Sequence, residues 1–166
     1  AAAGVDPVDL VVQIQRGGDC SAVAFSMCDE DVEYIMRKPY VATASDGSSK
    51  MAGPTRPHPR SYGTFSRKIG HYAIEKKVIP LLQAIRSSSG LPADILGIDD
   101  RGYLRTGTYA DVIVFDPARI RDRATFVDPH QHSVGVLWVL VNGKVAVANE
   151  KPTGSMNGRV VRRPQK

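Results

Sequence analysis

Asp46 lies near the end of the mainly apolar segment Tyr40–Gly47, YVATASDG, and its carboxylate could take part in catalysis or binding. The run has the composition of a buried strand, in which an ionised carboxylate needs a partner. In open α/β sheets and (β/α)8 barrels, functional groups cluster at the carboxyl ends of strands. Asp-Gly is also a common turn pair, whose carboxylate caps backbone N–H groups. Position alone leaves two interpretations open, a functional carboxylate and a turn residue.

Residues 47–63 follow Asp46 as GSSKMAGPTRPHPRSYG, which is rich in Gly, Pro and Ser and predicts a long loop. A loop of this length inside a compact domain is usually functional or disordered. Arg56, Arg60 and Arg67 lie in or just after it, and a guanidinium suits bidentate recognition of a carboxylate. Residue chemistry alone does not choose among these three arginines.

Four histidines are candidates for a metal site or a proton-transfer site. His130-Gln131-His132 has the H-x-H spacing of a metal motif, but two ligands without a third bind zinc poorly. This segment follows the run VIVFDP, so a polar connection that tops a hairpin is the favoured interpretation. A lone histidine such as His71 is more often a packed, hydrogen-bonded residue. His58 stands between two prolines and is expected to brace the loop.

Cys20 and Cys28 are the two cysteines of the chain. They do not form a C-x-x-C pair, and two thiols cannot make a structural zinc site. Reduced thiols in a reducing compartment are the expected state, which predicts a cytoplasmic location.

The elements that would position these groups change in type near Asp99. The first part predicts helix, strand, helix and strand in alternation, which favours a parallel sheet. The predicted helices are residues 6–18, 28–39, 70–90 and 91–97, with Pro80 starting a new segment, and the strands are residues 21–27 and 40–47. The second part has strand runs, and Asn142-Gly143 between two of them is a strong hairpin signal.

The bulk composition is that of a folded globular protein, with 42% hydrophobic and 23% charged residues. The formal charge is +5, but acidic residues accompany the lysines and arginines, so no nucleic-acid partner is expected. The apolar runs are too short to span a membrane, and the opening AAAGVDPVDL lacks the features of a secretion signal.

Five stretches of the sequence carry a family resemblance. In chain order they are SDG, HPRSYGTFSRKIGHY, LPADILGIDDRGYLRTGTYADVIVFDP, ATFVDPHQ and VLVNGKV. Together they resemble the C-terminal part of the N-acyl-D-amino-acid deacylases (D-aminoacylases) of the amidohydrolase superfamily, over essentially the whole chain. The third and fifth stretches are shared widely among amidohydrolases, whereas the first two point to the D-aminoacylase branch.

The resemblance implies an α/β fold in two parts. Residues 1–98 would be the last strands and helices of a (β/α)8 amidohydrolase barrel, and residues 99–166 a small β part of the β-sandwich type. A barrel of this kind takes about 250 residues, so only its last portion would be present. The chain is then expected to need the missing barrel portion or to self-associate.

The resemblance also assigns roles to two residues. Asp46 would stand beside a zinc ion, take a proton from zinc-bound water as general base, and give it to the departing amine as general acid. Its contact with the metal would be weak or indirect. Arg60 would hold the carboxylate of a small-molecule substrate, an N-acyl amino acid.

The other zinc ligands of the family have no counterpart before Asp46 in this sequence. The isolated chain is therefore expected to be inactive as a deacylase. Two alternatives stay open: a non-catalytic remnant or partner-binding module, and an amidohydrolase that acts on a cyclic amide such as a hydantoin. The loop that carries Arg60 distinguishes the second alternative from a deacylase of N-acyl amino acids. Cyclic amides have no free carboxylate that an arginine of this loop could bind.

Overall fold

The computed structural model describes residues 4–18, 23, 25–49 and 51–162. Within these ranges five α-helices and one π-helix precede a four-stranded antiparallel sheet. The chain is therefore a mixed helix and strand protein. None of the helices in these ranges is long and apolar enough to cross a membrane.

The first two helices, α1 (Pro7–Arg16) and α2 (Asp29–Met36), lie where the sequence predicts them. The Asp6 side chain caps α1 by accepting the backbone N–H of Val8 at 2.8 Å. Three acidic residues fill the first turn of α2, where they complement the helix dipole. Both predictions are confirmed.

The predicted strand at Tyr40–Gly47 is not a strand in the structure. The Thr43 N–H donates to the carbonyl oxygen of Ser87 at 2.7 Å, which is a contact with a helix rather than a strand ladder. A parallel strand needs neighbouring strands to satisfy its backbone groups, and the described residues before Val112 include none. The other predicted strand, residues 21–27, lies partly outside the described residues. Its described residues, 23 and 25–27, do not form a strand.

The long loop predicted for residues 47–63 ends earlier than expected. Helix α3 spans Arg60–Arg67, and a π-helix, Lys68–Glu75, continues from it. Arg60 is therefore the first residue of a helix rather than a loop residue. Residues 61–63, the end of the predicted loop, likewise belong to the body of α3.

Two further helices complete the helical part. Helix α4 is Leu81–Ser88 and starts directly after Pro80, as predicted. Helix α5 is Gly90–Leu96, and it ends on Gly97, whose φ of 66° is left-handed. Glycine suits this capping position because it has no Cβ.

The strands form one sheet in the order β1-β2-β3-β4. They are Val112–Phe115, Val136–Val141, Lys144–Ala148 and Lys151–Pro152, and each pairs antiparallel with the next. Asn142 and Gly143 join β2 to β3 with φ angles of 51° and 77°, which confirms the predicted hairpin. The division of the chain at residue 98 and the β-sandwich stay predictions.

Gly70 of the π-helix packs directly on the connection between β1 and β2. A Cβ added at Gly70 would lie 2.1 Å from the carbonyl oxygen of Ile120. No side chain fits at that distance, so glycine allows the helical part to approach the sheet part. Ile120 is itself buried.

The buried core is small for a chain of this size. Among the described residues, one cluster of buried apolar side chains consists of Ala73, Ile79 and Ala84, with Met36 and Val78 packed against it. The accessible surface is 12219 Å², whereas a compact monomer of 18.0 kDa exposes roughly 8,000 Å². Large apolar side chains contribute to this excess, for example Phe25 at 79% and Leu82 at 80% exposure. Such exposure is typical of surfaces that pack against more protein.

Lys68 is a buried lysine whose hydrogen-bond partners are uncharged. Its residue exposure is 5%, and its ammonium donates to the hydroxyl oxygens of Thr43 and Ser87. Burial lowers the pKa of Lys68 from 10.5 to about 8. The contact with Thr43 ties the segment that leads to Asp46 onto the π-helix.

We expect the free energy of unfolding to rise as the pH is raised from about 8 to 10.5. In this window the unfolded chain still binds a proton on Lys68, whereas the folded chain has lost it, so rising pH favours the fold by roughly 2–3 kcal/mol. Below pH 8 both states are protonated and the full penalty for the buried charge applies. Urea unfolding followed by circular dichroism measures this dependence.

The variant Lys68→Met should be more stable than the parent at pH 7 and should lack this rise. Lys151→Met changes an exposed lysine and serves as the matched control. A Lys68→Met variant that unfolds at lower urea at pH 7 would show that the ammonium and its hydroxyl partners stabilise the fold.

Candidate active site

Asp46 and Arg60, the two residues assigned to the site, contact each other. An Arg60 Nη2 atom lies 2.9 Å from the Asp46 Oδ2 atom. The structure therefore brings a carboxylate and a guanidinium to one place from two different segments. One of them is the turn after Ala44, and the other is the first turn of α3.

The turn at Asp46 explains why the two segments meet. Asp46 has a φ of 47°, a left-handed conformation that aspartate tolerates better than most residues. The next residue, Gly47, packs against the start of α3: a Cβ added there would lie 3.0 Å from the Cα of Ser61. The Ser45 hydroxyl accepts the N–H of Gly47 at 3.2 Å and closes the turn. A side chain at Gly47 would require the two backbones to move apart by a few tenths of an ångström, so glycine suits this close approach.

Asp46 is not buried, contrary to the expectation from its apolar run. Its side chain is 85% exposed, and that of Arg60 is 43% exposed. The described residues place the start of α3 on one side of the carboxylate, while burial would require strands on the other side as well. An exposed ion pair of this kind contributes about 0.2–1 kcal/mol to stability, so little free energy is lost when either side chain exchanges its partner.

His58 contacts the backbone of Arg60. Its Nδ1 atom accepts the Arg60 N–H at 3.0 Å, and its ring meets the ring of Phe126 edge-on at 5.0 Å between centroids. Burial and the positive charge of Arg60 lower the pKa of His58, while Asp46 acts in the opposite direction. His58 is therefore neutral at pH 7, and its ring contacts the start of α3, whereas the sequence predicted that it braces the loop.

The H-x-H segment serves as a clamp between the sheet part and the site. His130 Nδ1 lies 2.8 Å from the Tyr62 hydroxyl, and His130 Nε2 lies 2.8 Å from the carbonyl oxygen of Thr55. The His132 ring stands edge-on to Tyr62 at 5.8 Å. Both nitrogens of His130 are thus occupied, which agrees with the prediction that this motif is a polar connection between strands.

The described residues do not form a zinc site by themselves. Structural and catalytic zinc sites use three or four protein ligands. No group of three or more His, Cys, Asp or Glu side chains in the described ranges is placed to hold a metal ion. Asp46, the carboxylate of the site, pairs with a cation instead. A zinc site that included Asp46 would need further ligands from outside the described residues.

The remaining predicted residues lie apart from this ion pair. His71 Nδ1 pairs with the Glu75 carboxylate at 3.0 Å, and the His71 ring packs edge-on against Tyr72, in line with a packed histidine. Cys28 is a free, exposed thiol before α2. Cys20 lies outside the described residues.

Arg60 borders two cavities, one on each side of α3. The first, about 210 Å³, is lined by Ser45, Tyr62 and Phe65 among others. The second, about 370 Å³, is lined by His58 and Phe126 among others. The arrangement offers a guanidinium for a carboxylate ligand, a neighbouring carboxylate that can move a proton, and space on both sides. Tyr62 and Phe126 were not predicted, because no local signal marks them.

A model of the amidohydrolase family matches residues 2–147. This match covers most of the chain, and the chain belongs to the amidohydrolase family. Its neighbours within the family are then informative about the particular branch.

Among curated relatives, the D-aminoacylase of Alcaligenes xylosoxydans xylosoxydans is 38% identical over 160 residues, which cover 96% of this chain and 32% of the relative. The N-acyl-D-glutamate deacylase of the same organism is 37% identical over 155 residues, which cover 93% and 31%. The chain thus spans about a third of the length of these relatives.

Solved structures agree with this branch. A structure from work on the binuclear metal centre of D-aminoacylase matches with a TM-score of 0.79 and 35% identity, covering 98% of this chain and 33% of the other. The N-acyl-D-glutamate deacylase of Bordetella bronchiseptica, complexed with zinc and a phosphonate inhibitor, matches with a TM-score of 0.68 and 38% identity, covering 81% and 28%.

Proposed function

We propose that the chain is the C-terminal third of a zinc-dependent deacylase that cleaves N-acyl-D-amino acids to a D-amino acid and a carboxylate. In this proposal Asp46 is the general base and acid, and Arg60 binds the substrate carboxylate. The observation that carries the proposal is the direct pairing of these two residues, at 2.9 Å, in a chain similar to D-aminoacylases.

The proposed role of Asp46 is proton transfer. Its carboxylate accepts a proton from the attacking water and delivers that proton to the nitrogen of the leaving amine. A general base must lie within hydrogen-bond reach of its proton, and the exposed carboxylate of Asp46 is open to a water molecule. The left-handed turn keeps the side chain at the end of the segment, where it can face a substrate.

The proposed role of Arg60 is to orient the substrate. Its guanidinium already holds one carboxylate, that of Asp46, and offers the same geometry to the carboxylate of an N-acyl amino acid. Because the exposed pair is weak, a substrate that makes two parallel hydrogen bonds can replace Asp46 on Arg60. Asp46 is then released for proton transfer next to the bound substrate.

Zinc, when bound in such an enzyme, lowers the pKa of a water molecule towards neutrality. Within the described residues, Asp46 is the donor that could contribute to its binding, through a weak or indirect contact. The other ligands would come from the part of the enzyme that corresponds to the remaining two-thirds of the relatives.

The proposed partner of this chain is therefore the rest of a (β/α)8 barrel. Residues 1–98 would supply its last elements, and residues 99–166 the attached small β part of β-sandwich type. The large exposed area supports this assignment, since apolar residues such as Phe25 and Leu82 stand where further strands and helices would cover them. Without that cover we expect the isolated chain to self-associate.

The function is tested with a hybrid enzyme, in which this chain follows the first two-thirds of the Alcaligenes D-aminoacylase. We expect the hybrid enzyme to hydrolyse N-acetyl-D-leucine in a zinc-dependent reaction, and N-acetyl-L-leucine far more slowly. We expect the 166-residue chain alone to hydrolyse neither substrate, because one carboxylate cannot assemble a zinc site. The activity of the hybrid enzyme and of the isolated chain is measured by the release of free amino acid.

The complete Alcaligenes enzyme is the positive control for the hybrid enzyme. A hybrid that folds and holds zinc but does not hydrolyse the D-substrate would contradict the catalytic proposal. That result would favour a non-catalytic, partner-binding module, the alternative supported by the lack of a metal-holding cluster among the described residues. Zinc-dependent turnover by the isolated chain would contradict its predicted inactivity.

A further inference from the structure

We propose that His58 is a positioning residue that sets the direction of Arg60 by capping the first turn of α3. This inference rests on the proposed function of Arg60 as the carboxylate-binding residue. It adds to that function the residue through which the guanidinium is held towards Asp46.

The first turn of α3 depends on His58 for its backbone hydrogen bonds. A helix leaves its first N–H groups without intrahelical partners, and the N-cap residue of α3, Pro59, makes no side-chain cap. His58 replaces that cap in two ways: its Nδ1 atom accepts the Arg60 N–H at 3.0 Å, and its carbonyl oxygen accepts the Ser61 N–H at 3.0 Å. The backbone at Arg60, from which the guanidinium side chain projects, is thus fixed by His58.

The backbone of His58 is restricted by its two neighbours, and its ring packs against an aromatic side chain. Pro57 and Pro59 restrict the backbone around it, and Phe126 packs against the ring edge-on at 5.0 Å. The ring of Phe126 in turn packs edge-on against that of Phe25, with 4.9 Å between the ring centroids. The charged groups near the ring are Arg60 and Asp46, while the ion pair of Arg67 with Asp122 borders the same cavity.

The direction of this hydrogen bond cannot be reversed. A backbone N–H can only donate, so Nδ1 of His58 must accept and the ring proton must lie on Nε2. The contacts of His130 fix its tautomer in the same way, because Nε2 must donate to the Thr55 carbonyl oxygen and Nδ1 then accepts from the Tyr62 hydroxyl. A side chain that replaces His58 must therefore present an acceptor at the position of Nδ1. Asparagine does so with its Oδ1 atom and is also a preferred helix-capping residue.

The hydrogen bond is measured directly in the hybrid enzyme, where the exposed apolar surface of this chain is covered, after 15N labelling of its histidine and arginine residues. A through-hydrogen-bond coupling between the Arg60 amide nitrogen and His58 Nδ1 should be present. In His58→Ala the order parameter of the Arg60 Nε–H bond should fall, and in His58→Asn it should recover. Absence of the coupling in the parent hybrid enzyme would overturn the proposal, whatever the chain's function.

The consequence is measured in the hybrid enzyme. His58→Ala should raise KM for N-acetyl-D-leucine about fivefold or more and change kcat much less, whereas His58→Asn should restore KM. His71→Ala is the matched control, because His71 pairs with Glu75. If KM is unchanged in His58→Ala but raised in Arg60→Gln, the positioning role is wrong and the proposed function stands. If neither variant raises KM, both are wrong.

Discussion

In the hybrid enzyme, Asp46→Asn should lower kcat for N-acetyl-D-leucine about a thousandfold. Asparagine has nearly the same shape and tolerates the left-handed φ of 47° found here, so the turn and the contact with Arg60 can persist. It cannot accept a proton from water, and the step that needs a general base is lost. KM should stay within about threefold, since the proposed binding group is Arg60. Steady-state kinetics with a parallel zinc measurement check both quantities.

Asp122→Asn is the matched control for this substitution. Asp122 also pairs with an arginine, Arg67, at 3.2 Å, but it does not contact Asp46 or Arg60. Its variant should therefore keep kcat within about threefold of the parent. If Asp46→Asn keeps its zinc and loses less than tenfold in kcat, Asp46 is not the general base and only its role in the turn remains.

The helices and the hairpin could be predicted because their signals are local in sequence. The cap on α1 comes from Asp6, and Pro80 marks the start of α4. The turn between β2 and β3 needs left-handed φ angles at two successive residues, which Asn142 and Gly143 supply. In each case the residues that decide the conformation lie within one turn of the element.

The errors in the predicted fold arise where distant residues decide the structure. The run Tyr40–Gly47 has strand composition, but a strand exists only if another strand pairs with it, and here Thr43 pairs with helix α4. The residues of α3 looked like loop because Pro59 and Gly63 are helix breakers elsewhere. Its start is stabilised by the His58 ring, a contact that composition does not reveal.

The candidate site was predicted only in part. The family resemblance singled out Asp46 and Arg60, and the structure shows that they meet, which neither residue spacing nor composition could establish. The clamp that joins His130 to Tyr62 and Thr55 crosses from the sheet part to the site and has no local signal. The burial predicted for Asp46 was wrong, because its exposure depends on which elements surround it in space rather than on its neighbours in sequence.

Replacing Arg60 should mainly raise KM in the hybrid enzyme. Hydrogen bonds to charged groups contribute about 1.5–3 kcal/mol, so Arg60→Gln should raise KM for N-acetyl-D-leucine roughly 10- to 150-fold. Arg60→Lys keeps the charge but loses the planar pair of donors, and it should fall between the parent and the glutamine variant. Initial rates over a range of substrate concentrations separate KM from kcat.

Arg56→Gln and Arg67→Gln are the controls for this prediction, because both arginines are close to Arg60 in sequence. Arg67 pairs with Asp122, and neither residue has an ion pair with Asp46 in the described part of the chain. Their variants should leave KM within about threefold. A rise in KM for Arg67→Gln but not for Arg60→Gln would move the carboxylate site to the cavity beside Asp122.

A second substrate separates carboxylate recognition from a general effect on the site. N-acetyl-D-leucine amide lacks the free carboxylate, so the parent hybrid should use it poorly and Arg60→Gln should change kcat/KM for it little. The loss caused by the Arg60 substitution should therefore appear with the acid and vanish with the amide. If Arg60→Gln lowers kcat/KM for both substrates by the same factor, Arg60 acts by holding Asp46 and α3 in place. Equal use of both substrates by the parent would instead favour an amidohydrolase for cyclic amides, whose substrates have no carboxylate for Arg60 to bind.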